Sequence, residues 1–231
     1  MTTLLHIDAS ARKERSITRD LGERFKRQWR AVQPTDRFIY RDIGSSPPDF
    51  ISESWIAAVF TPEEKRTDEQ NVLLSLSDLL IEELTEADVI VISTPMYNYG
   101  MPASLKAWID QIVRINKTFT FDLDRGDFPL EPTLSGKSLV LLTACGEFGF
   151  GENGARETMN HLGPHLRTLS KYLGADDIHE IRVEYQEFGD KRHKRSIESA
   201  YESISGTINN IAEKLELRQE LDATASLARK S

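Results

Sequence analysis

The most restrictive feature of this chain is a short apolar run that leads directly into a chemically unusual loop. The run is Ala87-Asp88-Val89-Ile90-Val91-Ile92. Its β-branched residues, with no polar alternation, predict a strand buried on both faces. After it come Ser93-Thr94-Pro95-Met96-Tyr97-Asn98-Tyr99-Gly100-Met101-Pro102. Ala103 to Arg114 then has helical spacing, with Leu105, Trp108, Ile109 and Ile112 on one side. Pro102 suits a helix's first turn, where a missing N–H costs nothing. The stretch is therefore strand, loop and helix, and the loop leaves the carboxyl end of the strand, where open α/β sheets bind ligands. Two tyrosines, a methionine and an asparagine give that loop more flat surface than a simple connection needs.

The same alternation recurs along the chain. Leu4 to Asp8 reads as a first strand. A hydroxyl-rich segment, Ala9 to Thr18, follows it with three basic residues. Leu21, Phe25 and Trp29 then mark a helix, for which Ser16 is the N-cap. Hydroxyls and free N–H groups at a helix start, with arginines nearby, suit a phosphate; an ordinary solvated turn has the same composition. No Gly-x-x-x-x-Gly-Lys-Ser/Thr and no Gly-x-Gly-x-x-Gly occurs, so neither nucleotide fingerprint is present. Arg37 to Asp42 is a second strand. Ser52 to Phe60 forms a short helix within an insertion, Pro47 to Phe60, that exposes Phe50, Trp55 and Phe60. Those aromatics cover a site, meet another subunit or pack on their own domain. Thr61-Pro62-Glu63-Glu64 starts a helix striped by Leu73, Leu76, Leu80 and Leu84, a pattern of core more than of partner surface.

Beyond the central loop, Lys117 to Asp122 alternates like a half-exposed strand or an extended arm, and Phe128 to Pro132 is too proline-rich for a central strand. This excursion carries Phe119, Phe121 and Phe128 outward as a candidate wall for a flat ligand. Lys137 to Thr143 is a fourth central strand, running into Thr143-Ala144-Cys145-Gly146-Glu147-Phe148-Gly149-Phe150-Gly151. Glycines there let backbone amides approach a ligand. A helix is expected from Arg156 to Leu173, a fifth strand from Asp176 to Val183, and a long charged helix from Lys191 to about Leu217. One domain thus spans residues 1–217, and 218–231 read as a frayed tail.

Composition narrows the function classes. A net charge of -8 argues against general nucleic-acid binding. No apolar run is long enough to span a bilayer, and no secretory signal is visible. The single cysteine excludes an intrachain disulfide and fits a reducing cytoplasm. No motif around Cys145 supports a nucleophile, and the five histidines lack metal-ligand spacing.

Five strands alternating with helices predict a flavodoxin-like doubly wound parallel sheet, order 2-1-3-4-5. The loops after strands 1 and 3 flank its switch point. One is rich in hydroxyls and arginines and the other in tyrosine and asparagine, a division suited to a ligand with a phosphate at one end and a planar ring at the other.

Thr94-Pro95-Met96-Tyr97-Asn98-Tyr99, with Pro102 to Asp110, resembles the FMN-dependent NADH-azoreductases, also called NAD(P)H:quinone oxidoreductases. The resemblance covers roughly residues 3–185. It implies a homodimer with FMN near the subunit interface, NAD(P)H as donor, and a quinone or azo compound as acceptor. It implies that Ser10, Ser16, Ile17 and Thr18 hold the ribityl phosphate. Met96, Tyr97, Asn98 and Tyr99 would line the isoalloxazine, with Ala144, Cys145, Gly146 and Glu147 at its edge. At that edge commoner members carry Ser-Arg-Gly-Gly or a related run. Here Ala144 lacks the hydroxyl and Glu147 brings an acid that would oppose negative charge on a reduced ring. The chemistry would reside on the flavin, with no protein acid or base assigned. The alternatives are a flavodoxin-like carrier passing single electrons to a protein, and a non-catalytic scaffold on the same fold.

Overall fold

The computed structural model describes residues 1–228. In chain order, the first elements are β1 (Thr3–Asp8), α1 (Ile17–Val32), β2 (Arg37–Asp42), α2 (Glu53–Phe60), α3 (Asp68–Glu86), β3 (Val89–Pro95) and α4 (Ala103–Ile112). There follow β4 (Phe119–Phe121), β5 (Leu130–Pro132), β6 (Lys137–Ala144), α5 (Gly163–Leu169), β7 (Ala175–Val183) and α6 (Lys191–Ala228). Five strands form one parallel sheet in the order β2-β1-β3-β6-β7. This is the expected flavodoxin-like order, with its reversal between β1 and β3.

Alternation along the strands feeds two cores. Leu5, Ile7, Ile90, Ile92, Leu139 and Leu141 point to the face covered by α3, α4 and α5, where Leu80, Leu84, Trp108, Ile112 and Leu166 are buried. Leu4, Val89, Val91, Val140 and Leu142 point to the other face, against Leu21, Phe25 and Trp29 of α1 and Ile204, Ile208 and Ile211 of α6. A sheet covered on both sides explains why its central strands are continuously apolar. Gly22 lets α1 approach closely, since a Cβ there would lie 2.6 Å from the His6 ring and 2.7 Å from Ser93 Oγ.

Several boundaries differ from the sequence reading. Thr61-Pro62 begins only a short 3-10 turn, Glu63–Lys65. The long helix starts at Asp68, because Thr67 and Gln70 form a reciprocal capping box. Its core stripe includes Leu74, Leu80, Ile81 and Leu84, while Leu73 faces outward. Trp55 is buried beside Leu74, its indole N–H bonded to Gln111 Oε1 at 3.1 Å, whereas Phe50 and Phe60 are exposed. The helix expected from Arg156 starts at Gly163, because Asn160 Oδ1 accepts from the Leu162 and Gly163 N–H groups and sets the entry there. The last helix continues past Leu217 to Ala228, with Arg218 donating to the Gly136 carbonyl and no Gly or Pro to stop it; residues 229–231 lie outside the described chain. β4 and β5 form a separate antiparallel ribbon, and Phe121 and Phe128 are exposed on that excursion.

Candidate functional site

The carboxyl ends of β1, β3, β6 and β7 surround a cleft. Ser10, Arg12, Arg15, Ser16, Ile17 and Thr18 line one end. Pro95, Met96 and Tyr97 form a second side, Ala144, Cys145 and Gly146 a third, and Gln186 with Glu187 a fourth.

At the first end, Ser16 has the extended backbone of an N-cap, and its hydroxyl accepts from the Arg19 N–H at 3.4 Å. Its oxygen also lies 3.3 Å from Thr18 Oγ1. The N–H groups of Ile17 and Thr18 have no acceptor among the described residues. A helix start of this kind is electropositive, and the exposed Arg12 and Arg15 add to it. Ser10 and Thr18 are buried.

The second side is set by a tight turn. Tyr97 and Gly100 exchange both backbone hydrogen bonds at 3.0 Å, and Asn98 and Tyr99 between them have φ of 47° and 66°. Two successive left-handed residues inside a mutually bonded pair match a type I′ turn. Asparagine tolerates that conformation; tyrosine adopts it at a cost. The Met96 N–H donates to the Ala144 carbonyl at 2.8 Å, joining this side to the third.

The third and fourth sides continue the β6–β7 pairing beyond the strands. The Cys145 N–H donates to the Val183 carbonyl at 2.9 Å, the Glu187 N–H to Gly146 at 3.0 Å and the Tyr185 N–H to Glu147 at 2.9 Å. A Cβ on Gly146 would meet Glu187 Cγ at 2.6 Å, so a side chain at 146 would have to displace the exposed Glu187 side chain, and with Gly146 this wall is bare backbone. The Cys145 thiol is pushed up to about 12 by burial and by the Glu184 carboxylate, which leaves it a poor nucleophile.

The structure brings together nine of the twelve residues anticipated from sequence: Ser10, Ser16, Ile17, Thr18, Met96, Tyr97, Ala144, Cys145 and Gly146. Asn98, Tyr99 and Glu147 are not in the lining. Asn98 and Tyr99 occupy the exposed turn. The Glu147 carboxylate binds Arg156 at 3.2 Å and accepts from the Tyr99 hydroxyl at 3.1 Å, so its charge is paired. Gln186 and Glu187 were missed. They follow the carboxyl end of β7, and the rule that singled out the other three loops applies to them equally.

Beneath the first loop lies a buried polar cluster. Asp8 is 2% exposed; it accepts from the Tyr40 hydroxyl at 2.8 Å, and its Oδ1 has no hydrogen-bond partner. Burial holds its carboxyl up at about 6. His6, with Nε2 2.9 Å from Ser93 Oγ, is pushed down to about 4, first by burial and then by Lys26 and Arg19. It is neutral at pH 7.

A family profile for the flavodoxin-like fold matches residues 2–208. The chain is 60% identical over 207 residues to "FMN-dependent NADH:quinone oxidoreductase 2" of Idiomarina loihiensis, covering 87% of this chain and 86% of that one. It is 56% identical over 218 residues to the protein of the same name from Colwellia psychrerythraea, covering 91% of this chain and all of the relative. The chain belongs to the flavodoxin-like FMN-dependent NADH:quinone oxidoreductase family. An azoreductase from Bacillus anthracis shares the fold at a TM-score of 0.80 and 21% identity, over 91% of this chain and 100% of that one.

The cleft fits what such a family would hold. A phosphate needs donors that are not already used, and the Ile17 and Thr18 N–H groups are such donors. A planar ring needs apolar surface beside bare backbone, and Met96, Tyr97 and Gly146 line the cleft together. Among the described residues no cluster of metal-ligating side chains is present, and no helix is long and apolar enough to cross a membrane.

Proposed function

We propose that this chain is an FMN-dependent enzyme that passes two electrons from NAD(P)H to quinones and to azo compounds by a ping-pong mechanism, acting as a homodimer in the cytoplasm. The observation that carries the reading is the meeting, in one cleft, of a helix start with unused N–H donors and a side lined by Met96, Tyr97 and Gly146. FMN, when bound, supplies the two-electron chemistry.

The protein's part is placement. Ser10, Ser16, Ile17 and Thr18 hold the phosphate with hydroxyls and first-turn amides. Met96 and Tyr97 pack on the ring, and Asn98 and Tyr99 act through the turn that presents them. Ala144, Cys145 and Gly146 bring backbone to the ring edge, where the Gly146 N–H, without an acceptor among the described residues, favours developing negative charge. Glu147, paired with Arg156, adds no free acid there. Donor and acceptor use the same cleft in turn, which predicts parallel lines in double-reciprocal initial-rate plots. Gln186 and Glu187 line the cleft's remaining side.

Purified protein should be yellow, or become so with added FMN, and anaerobic NADH should abolish the absorption. A colourless protein that takes up no FMN overturns the reading. A stable blue species without steady-state NADH oxidation points instead to a one-electron carrier.

A further inference from the structure

Arg19 has a role that its position outside the cleft conceals. Its guanidinium is fully committed. Nη1 and Nη2 grip the Asp42 carboxylate as a fork, at 3.0 and 2.5 Å. Nη2 also donates to the Ser10 carbonyl at 2.8 Å, and Nε donates to the Arg12 carbonyl at 2.8 Å. Nη1 further reaches the Tyr40 oxygen at 3.3 Å. One side chain of α1 therefore ties the end of β2 to two carbonyls of the loop after β1.

Those two contacts fix two peptide planes. Every peptide in the described chain is trans. In a trans peptide the N–H points opposite to the C=O of the same unit. Holding the Ser10 and Arg12 carbonyls against Arg19 therefore turns the Ala11 and Lys13 N–H groups away from it. Neither N–H has an acceptor among the described residues. Arg19 does not line the cleft, while Ser10 and Arg12 do. Its charge is largely cancelled by Asp42, with Asp8 nearby.

We propose that Arg19 is the positioning residue that shapes the anion end of the cleft, so that the protein prefers phosphorylated FMN over riboflavin without Arg19 touching the phosphate. The inference rests on the flavin reading given above. It differs from a plain charge effect, because the shape requires a fork that reaches a carboxylate and two carbonyls together. A lysine keeps the charge and cannot make that set of contacts.

The test titrates the full-length protein with FMN and with riboflavin, reading flavin fluorescence, for the unaltered chain, Arg19→Lys and Arg19→Gln. The ratio of the two dissociation constants is the readout, since a merely structural defect moves both flavins together. Both variants should lose at least about tenfold of the FMN preference, with riboflavin affinity within about twofold. Asp42→Asn frees the fork without altering Arg19 and should reduce the ratio in the same direction; it carries the test if neither Arg19 variant folds. An Arg19→Lys protein that keeps the full preference overturns the proposal, as does a parallel loss for both flavins. An unaltered chain that binds neither flavin overturns the flavin reading itself, a result distinct from these.

Discussion

Asn98 offers a clean separation of backbone geometry from side-chain contact. Its φ of 47° lies in the left-handed region, its side chain is exposed, and it is outside the cleft lining. Glycine enters that region freely, and asparagine does so more easily than other residues. Asn98→Leu should therefore cost about 1 kcal/mol, while Asn98→Gly should be neutral within about 0.5 kcal/mol. For a chain of this length about 1 kcal/mol corresponds to a melting shift of about 2–4 °C, resolvable by differential scanning fluorimetry. The same energy, if the turn must be rebuilt to seat the ring, corresponds to about fivefold in the FMN dissociation constant. The expected result is that Asn98→Leu loses both, and Asn98→Gly keeps FMN affinity within about twofold. If Asn98→Gly weakens FMN as much as Asn98→Leu does, the asparagine side chain contacts the flavin directly and the turn argument is refuted.

Asp8 gives a pH prediction. Its folded carboxyl stands at about 6 against an ordinary 3.8, so between pH 4 and 6 the folded state holds a proton the unfolded state lacks. Its contribution to stability therefore falls as pH rises through that window. His6 acts oppositely: held at about 4 against 6.5, it costs stability as pH falls through 6.5 towards 4. Asp8→Asn should stabilise the protein by about 1–2 kcal/mol at pH 7.5, after allowing for weakened Tyr40 and Arg19 contacts, and steepen the acid loss; urea unfolding at pH 4.5 and 7.5 measures both. Equal slopes in the two proteins would sink this account. Glu147→Gly removes a carboxylate already paired with Arg156 at an exposed site. It should change stability by less than about 1 kcal/mol and FMN affinity by less than about twofold; a large gain in affinity would show that the acid does face the ring.

The fold was legible because its signals are periodic. Val89 to Ile92 and Leu139 to Leu142 are apolar without alternation, which only a sheet covered on both faces requires. The helix start at Ser16 was legible from one capping residue. The starts of α3 and α5 were not, because the Thr67–Gln70 box and the Asn160 hydrogen bonds that set them, rather than Thr61 and Arg156, form only in the folded chain. In the site, the loops after β1, β3 and β6 could be read from composition. The pairing of Glu147 with Arg156 could not, since it joins two separate turns and takes the acid out of the position its place in sequence suggests. The brace formed by Arg19 is hidden for the same reason: its partners lie on two other segments, Ser10 and Arg12 in the loop after β1 and Asp42 at the end of β2.

The most direct measurement is an electron-density map from crystals grown with FMN. The phosphate should lie within hydrogen-bond distance of the Ile17 and Thr18 amides and the Ser16 hydroxyl, with the ring between Tyr97 and Gly146. Clear flavin density elsewhere on the protein, or an empty cleft at saturating FMN, would contradict the account.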